Sequence, residues 1–256
     1  MHKSAPQDDY IIEASGLTKN FFGFSAVRAV DLKVRRHSIH ALIGPNGAGK
    51  TTTFNLITKF LSPTAGTIRF NGEDITALRP AEVALKGIVR SFQISAVFPR
   101  MSVRENVRIA LQRPLGSSYR FWQSERSLDD LSERVDELLD AVGLLGYRDR
   151  PAAGLSYGRK RALEIATTLA LDPEMMLLDE PMSGLGHEDV DRISELIRKV
   201  STQRTILMVE HNLSVVAALS DTITVLAAGQ VLAEGPYSSV SQDPRVVEAY
   251  IGSINE

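Results

Sequence analysis

The octapeptide Gly44–Thr51, GPNGAGKT, is the feature that most constrains how this chain can fold. It fits the pattern G-x-x-x-x-G-K-[ST], in which a glycine-rich turn joins a strand to a helix. The apolar run Ile39–Ile43 before it predicts that strand, and Thr51–Ile57 after it can open the helix. Loop amides and a positive helix end together form a site for phosphate groups. A glycine-rich turn with an incidental lysine is the alternative, but the flanking elements favour the phosphate site.

The side chains of the loop indicate what it binds. Lys50 is expected to reach the β- and γ-phosphates of a nucleotide as a point charge, and the Thr51 hydroxyl is expected to ligate Mg2+. The residues expected to contact the nucleotide here are Gly44, Pro45, Asn46, Gly47, Ala48, Gly49, Lys50, Thr51 and Thr52.

Composition narrows the class of protein. The 256 residues are 43% hydrophobic and 23% charged, a globular balance that can fill one large domain or two lobes. A net charge of -2 and a pI near 6.2 give no support for a nucleic-acid-binding surface. The absence of cysteine excludes disulfides and thiolate metal sites.

Residues 1–9 are polar and predict a flexible lead-in. Because no apolar run of about 18 residues occurs, any membrane role is expected to come through a partner.

Three aromatic residues crowd one glycine between the first two predicted strands. The rings are Phe21, Phe22 and Phe24 around Gly23, and the strands are Tyr10–Ala14 and Ala26–Val34. One ring could stack on a nucleotide base. Because large apolar residues usually lie in the core, we expect two of the three rings to be buried.

Residues 94–172 differ in character from the rest of the chain. Before them, the strand predicted at Gly87–Phe92 places Gln93 at its end, where open α/β sheets present ligand groups. Ser102 and Glu105 then form a capping box that predicts a helix. Further apolar residues recur at helical spacing, namely Leu128, Leu131, Val135, Leu138, Leu139 and Val142. With no convincing strand, this stretch predicts a helical lobe inserted into the sheet.

Two adjacent carboxylates follow another apolar run. Met175–Leu178 predicts a buried strand that ends at Asp179 and Glu180. An aspartate at such a strand end can hold Mg2+ opposite a phosphate loop. The neighbouring carboxylate can polarise an attacking water. Two solvated acids at a strand end are the alternative, but the phosphate loop upstream favours a catalytic pair.

Two further positions are weak signals by themselves. The apolar run Thr205–Val209 predicts a strand, and His211 follows its end, although a lone histidine there is more often structural. Ser156 precedes a helix predicted over Arg159–Ala170, and local sequence favours an ordinary N-cap.

In this order the motifs match one family: the chain resembles the ATP-binding subunit of ABC transporters along nearly its whole length. The matching segments are the phosphate loop Gly44–Thr51, the Q-loop Gln93, the signature Leu155–Arg159, Walker B at Met175–Glu180, the D-loop Ser183–Gly186 and the switch His211. Each later motif is degenerate alone, but six in order are highly specific. The resemblance implies an α/β P-loop NTPase fold over residues 10–256. That fold has a RecA-like core, an antiparallel β subdomain and an inserted helical subdomain near 94–172.

The resemblance also implies how ATP and Mg2+ are held, in a head-to-tail dimer with ATP at the interface. It assigns Phe21 to adenine, Gln93 to Mg2+ and the helical lobe, Asp179 to Mg2+, Glu180 to the general base, His211 to the γ-phosphate, and Ser156 with Gly158 to the γ-phosphate of the second subunit. Lys50, Glu180 and His211 form the catalytic set.

Three residues depart from the family pattern. The usual signature is Leu-Ser-Gly-Gly-Gln, but here Tyr157 replaces its first glycine and Arg159 its glutamine. The D-loop usually ends in aspartate, but here it ends in Gly186. These changes concern the strength of the signature contact and leave the Walker motifs, Glu180 and His211 intact. We therefore expect an active ATPase.

The departures also indicate a subfamily. With a tyrosine in its signature, the chain resembles the branched-chain amino acid importer group. The segments Arg161–Ala166, Asp243–Gly252 and Pro114–Ser127 support the longer of that group's two ATPase subunits. The resemblance implies a second ATPase subunit, two permease subunits and a periplasmic solute-binding protein as partners. It also implies a peripheral position at the cytoplasmic face of the inner membrane.

Other functions stay open at this point. The same group includes importers of urea, amides and aromatic acids. A soluble ABC ATPase is a further alternative, although no sustained heptad pattern and no second phosphate loop occur. A scaffold ATPase of cluster assembly is another alternative, and the sequence distinguishes it poorly from a transporter subunit. The Gly186 change also leaves open an impaired subunit that completes a heterodimer.

Overall fold

The computed structural model describes residues 9–91, 97–112 and 125–252. The strands are β1 (Tyr10–Phe21), β2 (Phe24–Arg35), β3 (Ile39–Ile43), β4 (Ala65–Phe70), β5 (Glu73–Asp74), β6 (Ile88–Ser91), β7 (Met175–Asp179), β8 (Thr205–Val209), β9 (Thr222–Ala227) and β10 (Gln230–Gly235). The helices are α1 (Lys50–Ile57), α2 (Pro80–Leu85), α3 (Val103–Gln112), α4 (Glu125–Ala141), α5 (Tyr157–Leu169), α6 (His187–Ser201), α7 (Leu213–Leu219), α8 (Tyr237–Val240) and α9 (Pro244–Gly252). Gln93 and residues 1–8 of the predicted lead-in lie outside the described residues.

A six-stranded sheet in the order β10-β9-β3-β8-β7-β6 carries the phosphate loop. β3 pairs in parallel with β8 and β9, β7 pairs in parallel with β6 and β8, and β10 is antiparallel to β9 at the edge. Every residue of β3, β7 and β8 is buried, which explains their uninterrupted apolar sequences. Because parallel strands end at one edge, the segments that follow these three strands meet there.

A four-stranded antiparallel sheet, in the order β2-β1-β4-β5, lies beside the first. Its core includes Leu17, Val30 and Ile68, and it joins Phe54 of α1 and Leu42 of β3 in one cluster. The phosphate-loop helix is therefore held between the two sheets by apolar contacts on its inner face.

The turn between β1 and β2 contradicts one expectation. Phe21, Phe22 and Phe24 are 37%, 112% and 60% exposed, so none of the three rings is in the core. Phe21 and Phe24 form the last residue pair of the hairpin, and the turn is made by Phe22 and Gly23 with positive φ. The hairpin carries the rings beyond the end of the packed sheet, which is why the expected burial of two of them is wrong.

Helices α3, α4 and α5 pack against one another. The predicted capping box is confirmed: the Glu105 amide donates to Ser102 Oγ at 3.1 Å, and the Ser102 amide donates to Glu105 Oε2 at 2.7 Å. Val135 and Leu139 of α4 are buried in the cluster that continues to the sheet. Within the described ranges, no helix has the length and apolar character needed to cross a bilayer.

A polar network that begins at the buried His40 side chain joins β3, β9 and β10. His40 is 1% exposed, and its Nε2 lies 2.7 Å from Thr224 Oγ1. The Thr224 hydroxyl donates to Glu234 Oε2 at 2.6 Å, so the remaining contact requires His40 to be the donor to Thr224. Burial lowers the pKa of His40 from 6.5 to about 4, which keeps the ring neutral.

We expect this histidine to make the folding free energy pH-dependent in acid. Because the pKa is lower in the folded chain, the unfolded chain binds more protons between pH 6.5 and about 4. Stability should be complete above that window and fall by about 3 kcal/mol on acidification through it. Denaturant titrations from pH 7 to 4 on the parent and on His40→Gln, which cannot titrate, measure the difference. Equal pH slopes for the two proteins would contradict the assignment.

Candidate functional site

The phosphate loop is shaped by glycines that no other residue could replace without strain. Gly44 and Gly49 have φ of +146° and +100°. A Cβ on Gly44 would lie 2.1 Å from the Leu226 carbonyl oxygen, and a Cβ on Gly49 would lie 2.6 Å from the Ala26 carbonyl oxygen. Because Gly49 has no side chain with which to cap α1, the first-turn amides remain open to a phosphate group. The predicted strand, loop and helix are confirmed.

Lys50 is held inside the loop. Its Nζ donates to the carbonyl oxygens of Gly44 at 2.6 Å and Pro45 at 2.9 Å, and the residue is 7% exposed. Burial lowers the pKa of Lys50, and the negative charge of Glu180 opposes that shift. Backbone oxygens of the loop therefore hold the ammonium group in position.

Glu180 and His211 meet beside the loop. Glu180 Oε1 lies 2.6 Å from His211 Nε2, and the Glu180 amide donates to the Val209 carbonyl at 2.9 Å. Glu180 has φ of +47°, which is unusual for a residue with a side chain. This backbone turns the side chain at the end of β7 toward the phosphate loop.

A cleft of about 310 Å³ brings the loop and these two side chains together. Its lining residues are Phe24, Ala26, Asn46, Gly47, Ala48, Gly49, Lys50, Thr51, Thr52, Glu180 and His211. Of the three exposed rings, Phe24 lines this cleft. The Phe21 ring instead contacts the Lys19 ammonium group, whose Nζ lies 5.2 Å from the ring centre. Ser156 and Gly158 do not line the cleft.

Asp179 has an arginine partner that sequence reasoning missed. Its carboxylate is buried at the end of β7 and is paired with Arg90 of β6. Arg90 Nη1 also donates to Asn55 Oδ1 at 2.5 Å, and its guanidinium lies 5.8 Å from the Phe54 ring centre. An arginine inside the apolar segment Ile88–Ser91 is the signal that could have identified it.

A second missed arginine holds the backbone on both sides of Glu180. Arg161 of α5 donates to the Asp179 carbonyl at 3.0 Å and to the Pro181 carbonyl at 3.2 Å. It also forms a buried ion pair with Glu164 at 2.6 Å. The helix that follows Ser156 is thus tied to the segment that carries the acid.

Comparison with known proteins identifies the family to which this site belongs. The family model described as ABC transporter matches residues 27–183. The chain belongs to the ABC transporter family. A second model, described as branched-chain amino acid ATP-binding cassette transporter, matches residues 230–253. ATP binding and ATPase activity follow from membership of the family.

Two curated relatives extend over most of the chain. The high-affinity branched-chain amino acid transport ATP-binding protein BraF of Pseudomonas aeruginosa is 39% identical over 252 residues, which cover 94% of this chain and 98% of that protein. LivG of Escherichia coli K12, which has the same descriptive name, is 37% identical over 254 residues, with 94% and 98% coverage.

Solved structures agree with this assignment. A nucleotide-free ATP-binding cassette of an ABC transporter matches with a TM-score of 0.82 and 32% identity, covering 95% of this chain and 99% of that chain. A cassette in its ADP conformation matches with a TM-score of 0.83, the same identity and the same coverage. The predicted fold class, an α/β ABC ATPase fold, is confirmed.

The ABC signature of this chain is built into the start of α5. Ser156 is the N-cap, and its Oγ accepts from the Arg159 amide at 3.4 Å, so the N-cap interpretation is confirmed. A Cβ on Gly158 would lie 2.2 Å from Asp189 Cγ of α6, so a larger residue there would require the Asp189 side chain to move. The Arg159 guanidinium lies 4.4 Å from the Tyr147 ring centre, a cation–π contact.

The segment specific to branched-chain cassettes reaches the ABC phosphate loop. Tyr250 of α9 forms a hydrogen bond with the Gly44 backbone. Burial raises the pKa of Tyr250, and this hydrogen bond opposes the shift. Nothing local in the sequence connects the two residues, so sequence reasoning did not find this contact.

Proposed function

We propose that this chain is the ATP-binding and ATP-hydrolysing subunit that powers an importer of branched-chain amino acids. The observation that carries the proposal is the match of residues 230–253 to a model of branched-chain amino acid cassettes, in addition to the general cassette match. Two relatives that each cover 94% of the chain have branched-chain amino acid transport in their names.

Hydrolysis is proposed to use the residues of the loop cleft. A water held between Glu180 and the terminal phosphate of ATP gives its proton to the carboxylate as it attacks. His211 Nε2 lies 2.6 Å from Glu180 Oε1 and orients that carboxylate, and with ATP bound the same nitrogen would turn to donate to the γ-phosphate. Lys50 and the loop amides hold the phosphate charge. Phosphoryl transfer depends mainly on such positioning and charge neutralisation.

Mg2+ is the proposed cation of this site. The Thr51 hydroxyl in the first turn of α1 and the Asp179 carboxylate are oxygen donors of the kind Mg2+ prefers. When bound, Mg2+ supplies charge neutralisation for the β- and γ-phosphates. Arg90 is the counter-ion that holds the buried Asp179 carboxylate in place in this structure. Gln93 stays a predicted ligand outside the described residues.

A second cassette subunit, of the same or a different sequence, is the proposed partner at the signature. Ser156 and Tyr157 are exposed and lie outside the loop cleft of their own chain. In a head-to-tail dimer, Ser156 and Gly158 at the N-terminus of α5 would contact the γ-phosphate bound by the other subunit. Phe21 stays the proposed contact for adenine, although Phe24 is the one of the three rings that lines the cleft.

Permease subunits are proposed to dock on a separate apolar groove. This groove, of about 430 Å³, lies between β6 and helices α2, α3 and α5, and its lining includes Phe60, Pro80, Ala84, Val89 and Leu171. Its shape suits an amphipathic helix of a membrane partner. The chain would then sit peripherally at the cytoplasmic face of the inner membrane. A periplasmic solute-binding protein would deliver the amino acid, and no nucleic-acid partner is proposed.

Uptake measurements test this function. Membranes that carry this chain with its co-encoded permeases and binding protein are assayed with labelled leucine, in competition with urea, short amides and aromatic acids. We expect ATP-dependent leucine uptake that Glu180→Gln abolishes. Uptake of another solute would replace the substrate and keep the mechanism. A lack of ATP-dependent uptake of any solute would instead favour a soluble ABC ATPase.

A further inference from the structure

Glu210 is a buried acid that the mechanism above does not use. It follows β8 and is 4% exposed. Within the described ranges, no Lys, Arg or His side chain forms an ion pair with it. Instead, both carboxylate oxygens accept backbone amides: Oε2 from Met182 at 3.1 Å, and Oε1 from His211 at 2.8 Å and Asn212 at 3.1 Å. Hydrogen bonds of this kind fix the position of a carboxylate relative to the backbone segments that donate to it.

These amides belong to two segments that must keep their relative position. Met182 lies two residues after Glu180, in the segment that leads to α6, whereas His211 and Asn212 lie between β8 and α7. These two segments also carry Glu180 and His211, whose Oε1 and Nε2 atoms lie 2.6 Å apart. Because both side chains reach into the open cleft, their separation depends on where the two backbones are held.

We propose that Glu210 is a positioning residue for ATP hydrolysis, which fixes the segment after Glu180 against the segment of His211. This inference rests on the proposed roles of Glu180 and His211. Glu210 is not among the residues that line the cleft. Its carboxylate holds the two backbones at the spacing that keeps the acid and the histidine within hydrogen-bond distance, and small errors in such positioning are costly for catalysis.

The variant Glu210→Gln tests this directly because it keeps the shape and removes one acceptor oxygen. Its single amide oxygen can serve the His211 and Asn212 amides or the Met182 amide, and its NH2 group then faces a donor on the other side. We expect kcat to fall about 10- to 100-fold while KM and the ATP dissociation constant stay within about twofold of the parent. Turnover and nucleotide binding are measured on the full chain in its reconstituted transporter.

A matched control separates positioning from general destabilisation. The Asn212 side chain caps α7 by accepting from the Ser214 amide at 3.1 Å and the Val215 amide at 3.3 Å. Only the backbone amide of Asn212 donates to Glu210, and an alanine keeps that amide. Asn212→Ala should therefore lower the melting temperature with little change in kcat at temperatures where it is folded. If Glu210→Gln does not fold, Glu210→Asp replaces it. The shorter aspartate can still accept from the His211 and Asn212 amides, but its carboxylate should not reach the Met182 amide.

The outcomes separate this inference from the proposed function. A folded Glu210→Gln or Glu210→Asp protein with parental kcat would overturn the positioning role, provided that the parent hydrolyses ATP and Glu180→Gln does not. A loss of kcat matched by Asn212→Ala at equal loss of stability would also overturn it. A parent without ATPase activity would refute the proposed function itself.

Discussion

Glu180→Gln is expected to lower ATP turnover by about 100- to 10,000-fold while ATP still binds. The glutamine retains the shape of the side chain and can still hydrogen-bond His211, which lies 2.6 Å from Glu180 Oε1. It cannot accept the proton of the attacking water, so the chemical step fails after the nucleotide has been bound. The phosphate contacts of the loop and Lys50 are untouched, and the ATP-bound dimer should accumulate. Single-turnover hydrolysis and equilibrium ATP binding measure the two steps separately.

The control for this variant is Glu133→Gln, the same change at an exposed position on α4. It alters the net charge equally and lies away from the cleft, so its turnover should equal that of the parent. If Glu180→Gln hydrolyses ATP as fast as the parent and the control, Glu180 is not the base. If ATP binding is lost together with hydrolysis, the side chain acts on the nucleotide itself.

The phosphate loop and the strand ends around it could be predicted because their signals are local. Ile39–Ile43 and Met175–Asp179 are buried on both faces, which shows in the sequence as continuous apolar runs. Parallel pairing then brings the ends of those strands to one edge of the sheet. The meeting of Glu180 and His211 with the loop follows from that geometry. Their chemical roles stay predictions.

The first strand shows how a local signal can mislead. The sequence predicts a strand that ends at Ala14, but β1 continues to Phe21. Gly16 takes φ of +59° at an irregularity between Ala14 and Leu17, and pairing with β2 resumes beyond it. A bulge of this kind interrupts the alternation of side chains without ending the strand.

The residues that support the site could not be assigned because their partners are distant along the chain. Arg90 and Asp179 are separated by 89 positions, and Glu210 and Met182 by 28. A charged residue in or directly after an apolar strand indicates that some partner exists, since burial of a lone charge is costly. Only the fold determines which partner it is.

Arg161→Met is expected to have the largest effect on stability. The substitution leaves Glu164 as a buried carboxylate without its ion-pair partner, and it frees the carbonyl oxygens of Asp179 and Pro181. Removing one member of a buried pair costs about 3–5 kcal/mol of unfolding free energy. Hydrolysis should fall as well, because the positive φ of Glu180 is no longer held from both sides. Denaturant unfolding and turnover below the melting transition measure the two effects.

The double variant Arg161→Met with Glu164→Leu separates charge from positioning. With both charges replaced by apolar side chains, most of the lost stability should return, because a buried ion pair can be exchanged for apolar packing at little net cost. Turnover should not return, since no guanidinium reaches the carbonyl oxygens beside Glu180. Parental turnover in the double variant would mean that Arg161 serves only as the counter-ion of Glu164. The strained backbone at Glu180 would then be held without Arg161, by contacts that include the bond from its amide to the Val209 carbonyl and the bond from the Ser183 amide to its own carbonyl.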